Sequence, residues 1–367
     1  MMASKVNSRL PEQVLFEVLG SPFTDQRRSP TEKEADEYFD IAFENRVALW
    51  FLERCREEGV PLSEAAACNH AHLEERRIKT EAVVARLAKV LNEAAPGKWV
   101  LFKSIKPFPS TPNDTDWFPF SRKDHQRLVN HLLENGYVFL EKAPLQTTLI
   151  DEGGLGVTDS DKRGGVYYID CYQIPGADYF VYLDPSKLKR HLVGKQVAGE
   201  VVPALDAAAE LTAIVFHNVF PERTYSVESF YLILHYIYDL VRSGGVEDFS
   251  KTVRENHIER AVSANLSVTE ALHKKHFNSV PAVLSQLLEE FPQERMEGSL
   301  VGSAGFGLPY NFSVACFWRT FLGKLRDPVS LRSAFVQLAH MLNPVFFADV
   351  MLLVWRRTRP GGVYKQM

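Results

Sequence analysis

The hydrophobic pattern of this 367-residue chain changes period twice, and that change limits the folds it can adopt. Near the N-terminus, apolar residues recur at spacings of three and four, which predicts helices over 32–58 and 73–94. Between 99 and 183 the apolar runs are short and interrupted by proline and glycine, as is typical of strands. After Pro185 the pattern is helical again. This order predicts an α+β fold with a small mixed sheet between helical parts, rather than a doubly wound parallel sheet.

The pattern divides the chain into three predicted regions. Residues 1–97 form an N-terminal helical region, which ends at Ala95-Pro-Gly97 because proline and glycine stop helices. Residues 98–185 form a strand-rich unit, and residues 186–367 form a C-terminal helical domain. Within this last region, Ser267-x-x-Glu270 is a capping-box pattern that predicts the start of a helix.

The strand-rich unit is predicted to contain one helix among its strands. Ser121 is expected to cap the start of that helix, and Gly136 is expected to end it. A glycine-rich connection over 153–165 is expected to precede a strand pair around Pro175-Gly176. The predicted strands cover 99–105, 114–120, 137–141, 146–150, 166–174 and 179–183.

Composition excludes several classes of protein. Four cysteines without a CxxC motif do not form a disulfide framework, so a reduced, cytoplasmic setting is expected. No window reaches the length of apolar sequence that a membrane span needs, so no integral membrane contact is expected. The formal net charge of −4 does not favour a long nucleic acid as partner. Residues 310–367 nevertheless carry a local surplus of Arg and Lys.

Asp114-Thr-Asp116 is the motif that most directly indicates chemistry. It follows an apolar strand and a loop that contains Pro107, Pro109 and Pro112. Residues two apart on a strand point to the same side, so the two carboxylates are expected to face one spot. Paired carboxylates repel each other unless a cation lies between them, and oxygen ligands of this kind suit Mg²⁺ or Mn²⁺.

Asp170 is a third candidate acid, in the run Ile169-Asp170-Cys171. An ionised carboxylate among apolar residues is costly without a partner. If its strand lies beside the strand of Asp114, the three acids converge and can hold two divalent ions. One ion would bind a triphosphate and the other would activate an attacking hydroxyl, with Asp170 as its base or as a metal ligand.

These elements together resemble the nucleotidyltransferase superfamily, which has the polymerase-beta-like fold, and in particular a branch with helices on both sides of the catalytic unit. In that family an apolar residue, Gly, and Gly or Ser precede an Asp-x-Asp pair, and a later strand supplies a third acid. Here Phe102-Lys103-Ser104 precedes nine residues and then Asp114-Thr-Asp116. The resemblance covers residues 98–185.

The resemblance implies an enzyme that moves a nucleoside monophosphate from an NTP such as ATP to an acceptor. It implies Mg²⁺ or Mn²⁺ bound by the three aspartates, and a nucleotide contacted by Lys103, Ser104 and Lys106. Lys103 stands where the family has glycine, and its ammonium could offer charge to the triphosphate. The acceptor is expected to be a small molecule or a protein rather than nucleic acid; its identity and the oligomeric state remain open.

Two other functions are compatible with the same residues. Asp-x-Asp after an apolar strand also binds Mn²⁺ and a sugar nucleotide in glycosyltransferases, although that fold needs several alternating strands and helices ahead of the pair. A non-catalytic member that binds a nucleotide or a partner is the second alternative, because Lys103 replaces the family glycine.

Overall fold

The fold is mixed α+β, as the sequence predicts. The structure is a computed structural model, and the glycine-rich connection predicted over 153–165 lies outside the residues that it describes. The described residues are 11–112, 114–151, 168–303, 305–348 and 352.

A seven-stranded mixed sheet forms the centre of the molecule, in the order β3-β4-β5-β2-β1-β9-β8. Strand β2 is parallel to β5 and β1 is parallel to β9, whereas the other neighbours are antiparallel. The strands are β1 (Trp99–Leu101), β2 (Asp114–Pro119), β3 (Tyr137–Lys142), β4 (Gln146–Asp151), β5 (Tyr168–Tyr172), β8 (Leu192–Val197) and β9 (Glu200–Leu205).

The prediction of helix throughout 186–367 is wrong for β8 and β9. These strands form a hairpin that extends the sheet, with Val197 paired to Glu200 across a two-residue loop. Both loop residues, Ala198 and Gly199, have positive φ angles of 46° and 88°. Such a loop matches the twist of the flanking strands, so a tight hairpin forms where the sequence analysis expected helix.

The predicted strand pair around Pro175-Gly176 is also wrong. Strand β5 pairs with β2 and β4, while the short strands β6 and β7 pair only with each other. A further short pair joins β10 to β11. These short strands are β6 (Gly176–Ala177), β7 (Phe180–Val181), β10 (Thr224–Tyr225) and β11 (Tyr310–Asn311).

Helices precede the sheet, as predicted, but with different limits. The helix expected over 32–58 is three shorter helices, and the helix expected from residue 73 begins at Glu64, where Ser63 accepts a hydrogen bond from the backbone of Ala66. The N-terminal helices are α1 (Pro11–Leu19), α2 (Glu32–Glu37), α3 (Phe39–Glu44), α4 (Ala48–Glu57) and α5 (Glu64–Ala94).

The remaining helices lie after β2, and most of them follow the sheet. The capping box predicted at Ser267 is wrong, because this residue lies in the interior of α11 and its hydroxyl binds the carbonyl of Ala264. These helices are α6 (Arg122–Glu134), α7 (Pro185–Leu188), α8 (Ala207–Val219), α9 (Val227–Ser243), α10 (Val246–Glu255), α11 (Glu259–Phe277), α12 (Ala282–Glu290), α13 (Met296–Ser299), α14 (Val314–Lys324) and α15 (Pro328–His340). None of the helices in the described part of the chain has both the length and the apolar character that a membrane crossing requires.

Two hydrophobic cores lie on opposite faces of the sheet. On one face, Trp117 of β2 packs with apolar residues of α5 and α6. On the other face, Phe118 and Tyr172 belong to a larger core that includes α1, α4, α8, α9 and α11. Because side chains alternate along a strand, the residues that share a side with Phe118 and Tyr172 face this larger helical assembly.

Ser121 caps α6 as predicted, since its hydroxyl accepts a hydrogen bond from the backbone N–H of Asp124 at 3.1 Å. We expect Ser121→Ala to lower the free energy of unfolding by about 1 kcal/mol, because the first turn loses a partner for its N–H groups. Urea unfolding followed by circular dichroism measures this change. Ser121→Thr is the control, since threonine retains the hydroxyl; an equal loss in both variants would contradict the capping role.

Candidate functional site

The sheet brings together the three acids that the sequence analysis singled out. Strands β2 and β5 are parallel neighbours, and Asp116 is paired directly with Asp170. Asp114 lies two residues before Asp116 and therefore points to the same side. This is the side of the larger helical core, because Phe118 and Tyr172 continue the same alternation into that core.

The carboxylates of Asp114, Asp116 and Asp170 form one cluster. One oxygen of each lies within 4.8 Å of the others. Asp116 is buried, Asp170 is half-buried and Asp114 is exposed, so the cluster extends from the interior to the solvent. An all-oxygen donor set of this size is the kind that Mg²⁺ and Mn²⁺ prefer.

One carboxylate oxygen of the cluster is buried without a hydrogen-bond partner among the described residues. This oxygen is Oδ1 of Asp116. Leaving a buried charged acceptor unsatisfied costs more than losing an ordinary hydrogen bond. Asp170 is oriented by Thr148, whose hydroxyl donates to Oδ1 at 2.6 Å. The acids therefore fit a divalent cation, which would satisfy the orphaned oxygen of Asp116.

Lys103 adopts a left-handed backbone conformation, which glycine reaches readily and other residues reach at a cost. Its φ angle is 60°, in the left-handed region that costs a residue with a side chain about 1 kcal/mol. Its backbone N–H donates to Oε2 of Glu210 at 2.9 Å, which holds the turn in place. The hydrogen bond to Glu210 thus compensates part of the cost of a lysine in this turn.

The side chain of Lys103 turns towards the acids. Its ammonium lies 2.8 Å from Oδ2 of Asp116, and both side chains are about nine-tenths buried, with 11% and 9% exposed. The rings of Phe102 and Tyr172 lie 4.8 and 5.8 Å from the ammonium. In this arrangement the lysine supplies positive charge to the cluster without a metal.

The hydroxyl of Ser104 connects the loop after β1 to the strand β2. Its hydroxyl accepts a hydrogen bond from the backbone N–H of Asp116 at 2.9 Å and donates to the carbonyl of Phe102 at 3.1 Å. These bonds fix the loop to the start of β2. Residues 105–112, which follow Ser104, form no helix, as the three prolines in this segment predict. A phosphate contact by Ser104 stays a prediction.

Lys106, in the loop after β1, forms an ion pair with the carboxylate of Glu228. Arg46 lies 3.9 Å from the same carboxylate. The charges of Lys103, Arg46 and Lys106 all lower the pKa of Asp114, so these cations lie close to the acids. Positive groups from the N-terminal helices and from the loop thus surround the exposed end of the cluster.

The surrounding protein, which displaces part of the water around the carboxylates, raises the pKa of each acid in the cluster. For Asp114, the surrounding protein and then the charge of Asp116 raise the pKa to about 6. Burial also raises the pKa of Asp116 and of Asp170, against the opposing effects of Lys103 and of Thr148. Burial lowers the pKa of Lys103, but the charge and hydrogen bond of Asp116, together with Tyr182 and Asp114, outweigh burial and leave that pKa raised. Lys103 therefore stays charged, yet one ammonium does not offset the repulsion among three carboxylates.

The sequence analysis missed the residues that come to the site from distant parts of the chain. Arg46 lies in the turn between α3 and α4, Glu210 in the first turn of α8, and Glu228 in the first turn of α9. Acids in the first turn of a helix are common as dipole partners, so neither glutamate is distinctive in sequence. Complete burial of Glu210 and Glu228 becomes evident only from the fold.

Glu210 gives a prediction about pH. Burial raises its pKa from 4.5 to about 7. Because the folded pKa lies above the unfolded one, the folded state prefers the protonated acid. The free energy of unfolding should therefore fall by about 3 kcal/mol as the pH rises from about 4.5 to about 7, and this contribution should then level off.

Urea unfolding of wild type and Glu210→Gln across this pH range measures the effect. The amide does not titrate, so the variant should lack this part of the pH dependence. Glu93→Gln, at an exposed position of α5, is the control and should follow the wild type. Parallel pH curves for wild type and Glu210→Gln would contradict the assignment.

Comparison with known proteins does not place this chain in a family. No family model, no curated protein and no solved structure matches it. The functional conclusion therefore depends on the chemistry of the site.

Proposed function

We propose that this protein is a metal-dependent nucleotidyltransferase that transfers a nucleoside monophosphate from an NTP, such as ATP, to a hydroxyl group of an acceptor. The observation that carries the proposal is the convergence of Asp114, Asp116 and Asp170 from two paired strands, with oxygens within 4.8 Å of one another. The left-handed turn at Lys103, in the position of the family glycine, supports it further.

The acids would hold Mg²⁺ or Mn²⁺ together with the phosphates of the nucleotide. Divalent ions in such a site neutralise developing charge and lower the pKa of an attacking hydroxyl. Lys103, Arg46 and Lys106 add positive charge beside Asp114, where a triphosphate would lie. Catalysis would then depend mainly on positioning and on charge neutralisation.

Asp170 is suited to interact with the hydroxyl of the acceptor. Its position is fixed by the hydrogen bond from Thr148, and burial raises its pKa. A carboxylate with a raised pKa is a better proton acceptor at neutral pH than an ordinary one. We assign to Asp170 the role of general base or of second metal ligand, and to Asp114 and Asp116 the role of metal ligands.

A non-catalytic nucleotide-binding protein is the second candidate function. The ion pair between Lys103 and Asp116 favours it, because the ammonium occupies one side of a carboxylate that a metal would need. A glycosyltransferase has less support, since only one short strand, β1, precedes Asp114 in the described sheet. The modest negative net charge favours a small molecule or a protein as acceptor, and the unbridged cysteines fit a reduced, cytoplasmic setting.

Incubation of the full-length protein with labelled NTPs and Mg²⁺ or Mn²⁺ tests the proposal, with a panel of hydroxyl-bearing small molecules and proteins as acceptors. We expect release of pyrophosphate and transfer of label to an acceptor. Tight nucleotide binding without turnover across the panel would instead support the non-catalytic function. Hydrolysis of sugar nucleotides without NTP turnover would support a glycosyltransferase.

A further inference from the structure

A second group of potential metal ligands lies at the β8 edge of the sheet, whereas the three acids lie on the central strands β2 and β5. It consists of His191, Asp206 and Asp248. His191 directly precedes β8, Asp206 directly follows β9, and Asp248 lies in the first turn of α10. One ligand atom of each lies within 4.8 Å of the others. Three separate elements of the fold therefore meet at this point.

The imidazole of His191 is the centre of this group. It is buried, with 1% exposed, and its Nδ1 lies 2.9 Å from Oδ2 of Asp206 and 3.5 Å from Oδ2 of Asp248. The side chains of the two aspartates are 33% and 47% exposed, so solvent reaches the carboxylates but not the ring.

The hydrogen bonds of Thr252 determine whether Nε2 of the His191 ring carries a hydrogen. Its hydroxyl lies 2.8 Å from the carbonyl of Asp248, which only accepts, so the hydroxyl donates its hydrogen there. The same oxygen lies 3.0 Å from Nε2 of His191 and 3.3 Å from a guanidinium nitrogen of Arg190. With its own hydrogen used, Thr252 accepts from both, and Nε2 of His191 carries a hydrogen.

This protonation leaves Nδ1 of a neutral ring with a lone pair that faces two carboxylates. Carboxylates also only accept hydrogen bonds, so the contact needs a cation. A proton on Nδ1 would offset one of the two negative charges. A divalent metal would offset both and would bind the nitrogen and the two oxygens together.

The surroundings have the features of a metal site. The other oxygen of Asp206 accepts the backbone N–H of Ala209 at 3.0 Å, which fixes the carboxylate. Metal-bound histidines usually donate their other N–H to an oxygen, as His191 does to Thr252. Tetrahedral bonds of about 2.1 Å place ligand atoms about 3.4 Å apart. The observed separations of 2.9 and 3.5 Å need only a small opening.

We propose that His191, Asp206 and Asp248 bind one Zn²⁺ ion, with water in the remaining position. The mixed nitrogen and oxygen donors suit zinc, whereas the all-oxygen cluster of Asp114, Asp116 and Asp170 suits Mg²⁺. The two sites thus differ in the metal they select, and the zinc site does not depend on the proposed enzymatic function.

The zinc site would stabilise the fold around the sheet edge. It joins the hairpin of β8 and β9 to α8, which Asp206 caps, and to α10. Glu210, in the first turn of α8, holds the backbone of Lys103. Metal bound at this edge would therefore also fix the helix that supports the turn at the acid cluster.

A competition titration tests the proposal. Full-length protein is stripped with a chelator, dialysed into excess Mg²⁺, and titrated with Zn²⁺ against a chromophoric chelator. We expect the wild type to bind one Zn²⁺ ion, and His191→Gln and Asp248→Asn to bind it at least about tenfold more weakly. Asp114→Asn, which alters the all-oxygen cluster, is the matched control and should bind Zn²⁺ as the wild type does.

Co²⁺ absorption and thermal unfolding give independent readouts. The wild type with Co²⁺ should show the visible bands of tetrahedral coordination, and Zn²⁺ should raise its melting temperature. Asp248 is about half exposed, so its asparagine variant should fold, and circular dichroism checks this. Undiminished Zn²⁺ binding in Asp248→Asn would overturn the proposal. The absence of Zn²⁺ binding in the wild type would also overturn it.

Discussion

Asp114→Asn is expected to reduce NTP turnover by at least about 100-fold, which corresponds to about 2.7 kcal/mol of lost transition-state stabilisation. The same change should leave the melting temperature of the metal-free protein unchanged or raise it. Both effects have one cause: Asp114 is held beside Asp116, whose charge helps to raise its pKa to about 6. The neutral amide relieves this repulsion but provides a weaker metal ligand.

Pyrophosphate release and thermal unfolding, measured on the same preparation, test this pair of effects. Asp25→Asn is the matched control, because Asp25 is exposed in the loop after α1. It should retain both the activity and the melting temperature of the wild type. Wild-type turnover in Asp114→Asn would remove this residue from the catalytic role. A clear fall in its melting temperature would show that the carboxylate stabilises the metal-free fold.

Lys103→Met is expected to destabilise the metal-free protein by about 3 kcal/mol, the usual cost of removing one partner of a buried ion pair. Methionine has a similar length and meets the same left-handed backbone penalty, so the comparison isolates the charge. In this variant Asp116 stays buried beside two other acids, but it loses the ammonium that lies 2.8 Å from its Oδ2 in the wild type. Mg²⁺ should stabilise this variant more than the wild type, because the ion replaces the missing charge.

Urea unfolding with and without Mg²⁺ measures this effect. Lys98→Met, at an exposed position before β1, is the control and should change the free energy of unfolding by less than about 0.5 kcal/mol. If Mg²⁺ stabilises Lys103→Met and the wild type equally, the ammonium and the metal do not share a place in the cluster. That outcome would contradict the expectation that a metal replaces the ammonium of Lys103 beside Asp116.

The acid cluster was predictable because it depends on local rules. Alternation along a strand places Asp114 and Asp116 on one side, and the apolar neighbours of Asp170 mark a strand. The cluster also requires that the strands β2 and β5 be neighbours, which local rules do not determine. The pairing of Asp116 with Asp170 shows that they are. The α+β class was predictable for the same reason, since it follows from the order of helical and strand patterns.

Other parts of the fold depend on contacts that sequence periodicity does not report. Ser267 has the spacing of a capping box, yet packing places it inside α11, where its hydroxyl binds the backbone. Arg46 comes to the site from the turn before α4, which packs on the loop that follows β1 through the stacked rings of Trp50 and Phe108. The hairpin of β8 and β9 had one sequence indication, the glycine of the two-residue Ala198-Gly199 turn, because glycine readily adopts the positive φ angle that such turns need.

The most direct test of the central claim is anomalous diffraction from a crystal soaked with Mn²⁺ and a non-hydrolysable NTP. We predict Mn²⁺ peaks within bonding distance of Asp114, Asp116 and Asp170, with the phosphates of the nucleotide beside them and the ammonium of Lys103 displaced from Asp116 or turned to a phosphate. Manganese bound elsewhere, with Lys103 still paired to Asp116 at saturating Mn²⁺, would contradict the account.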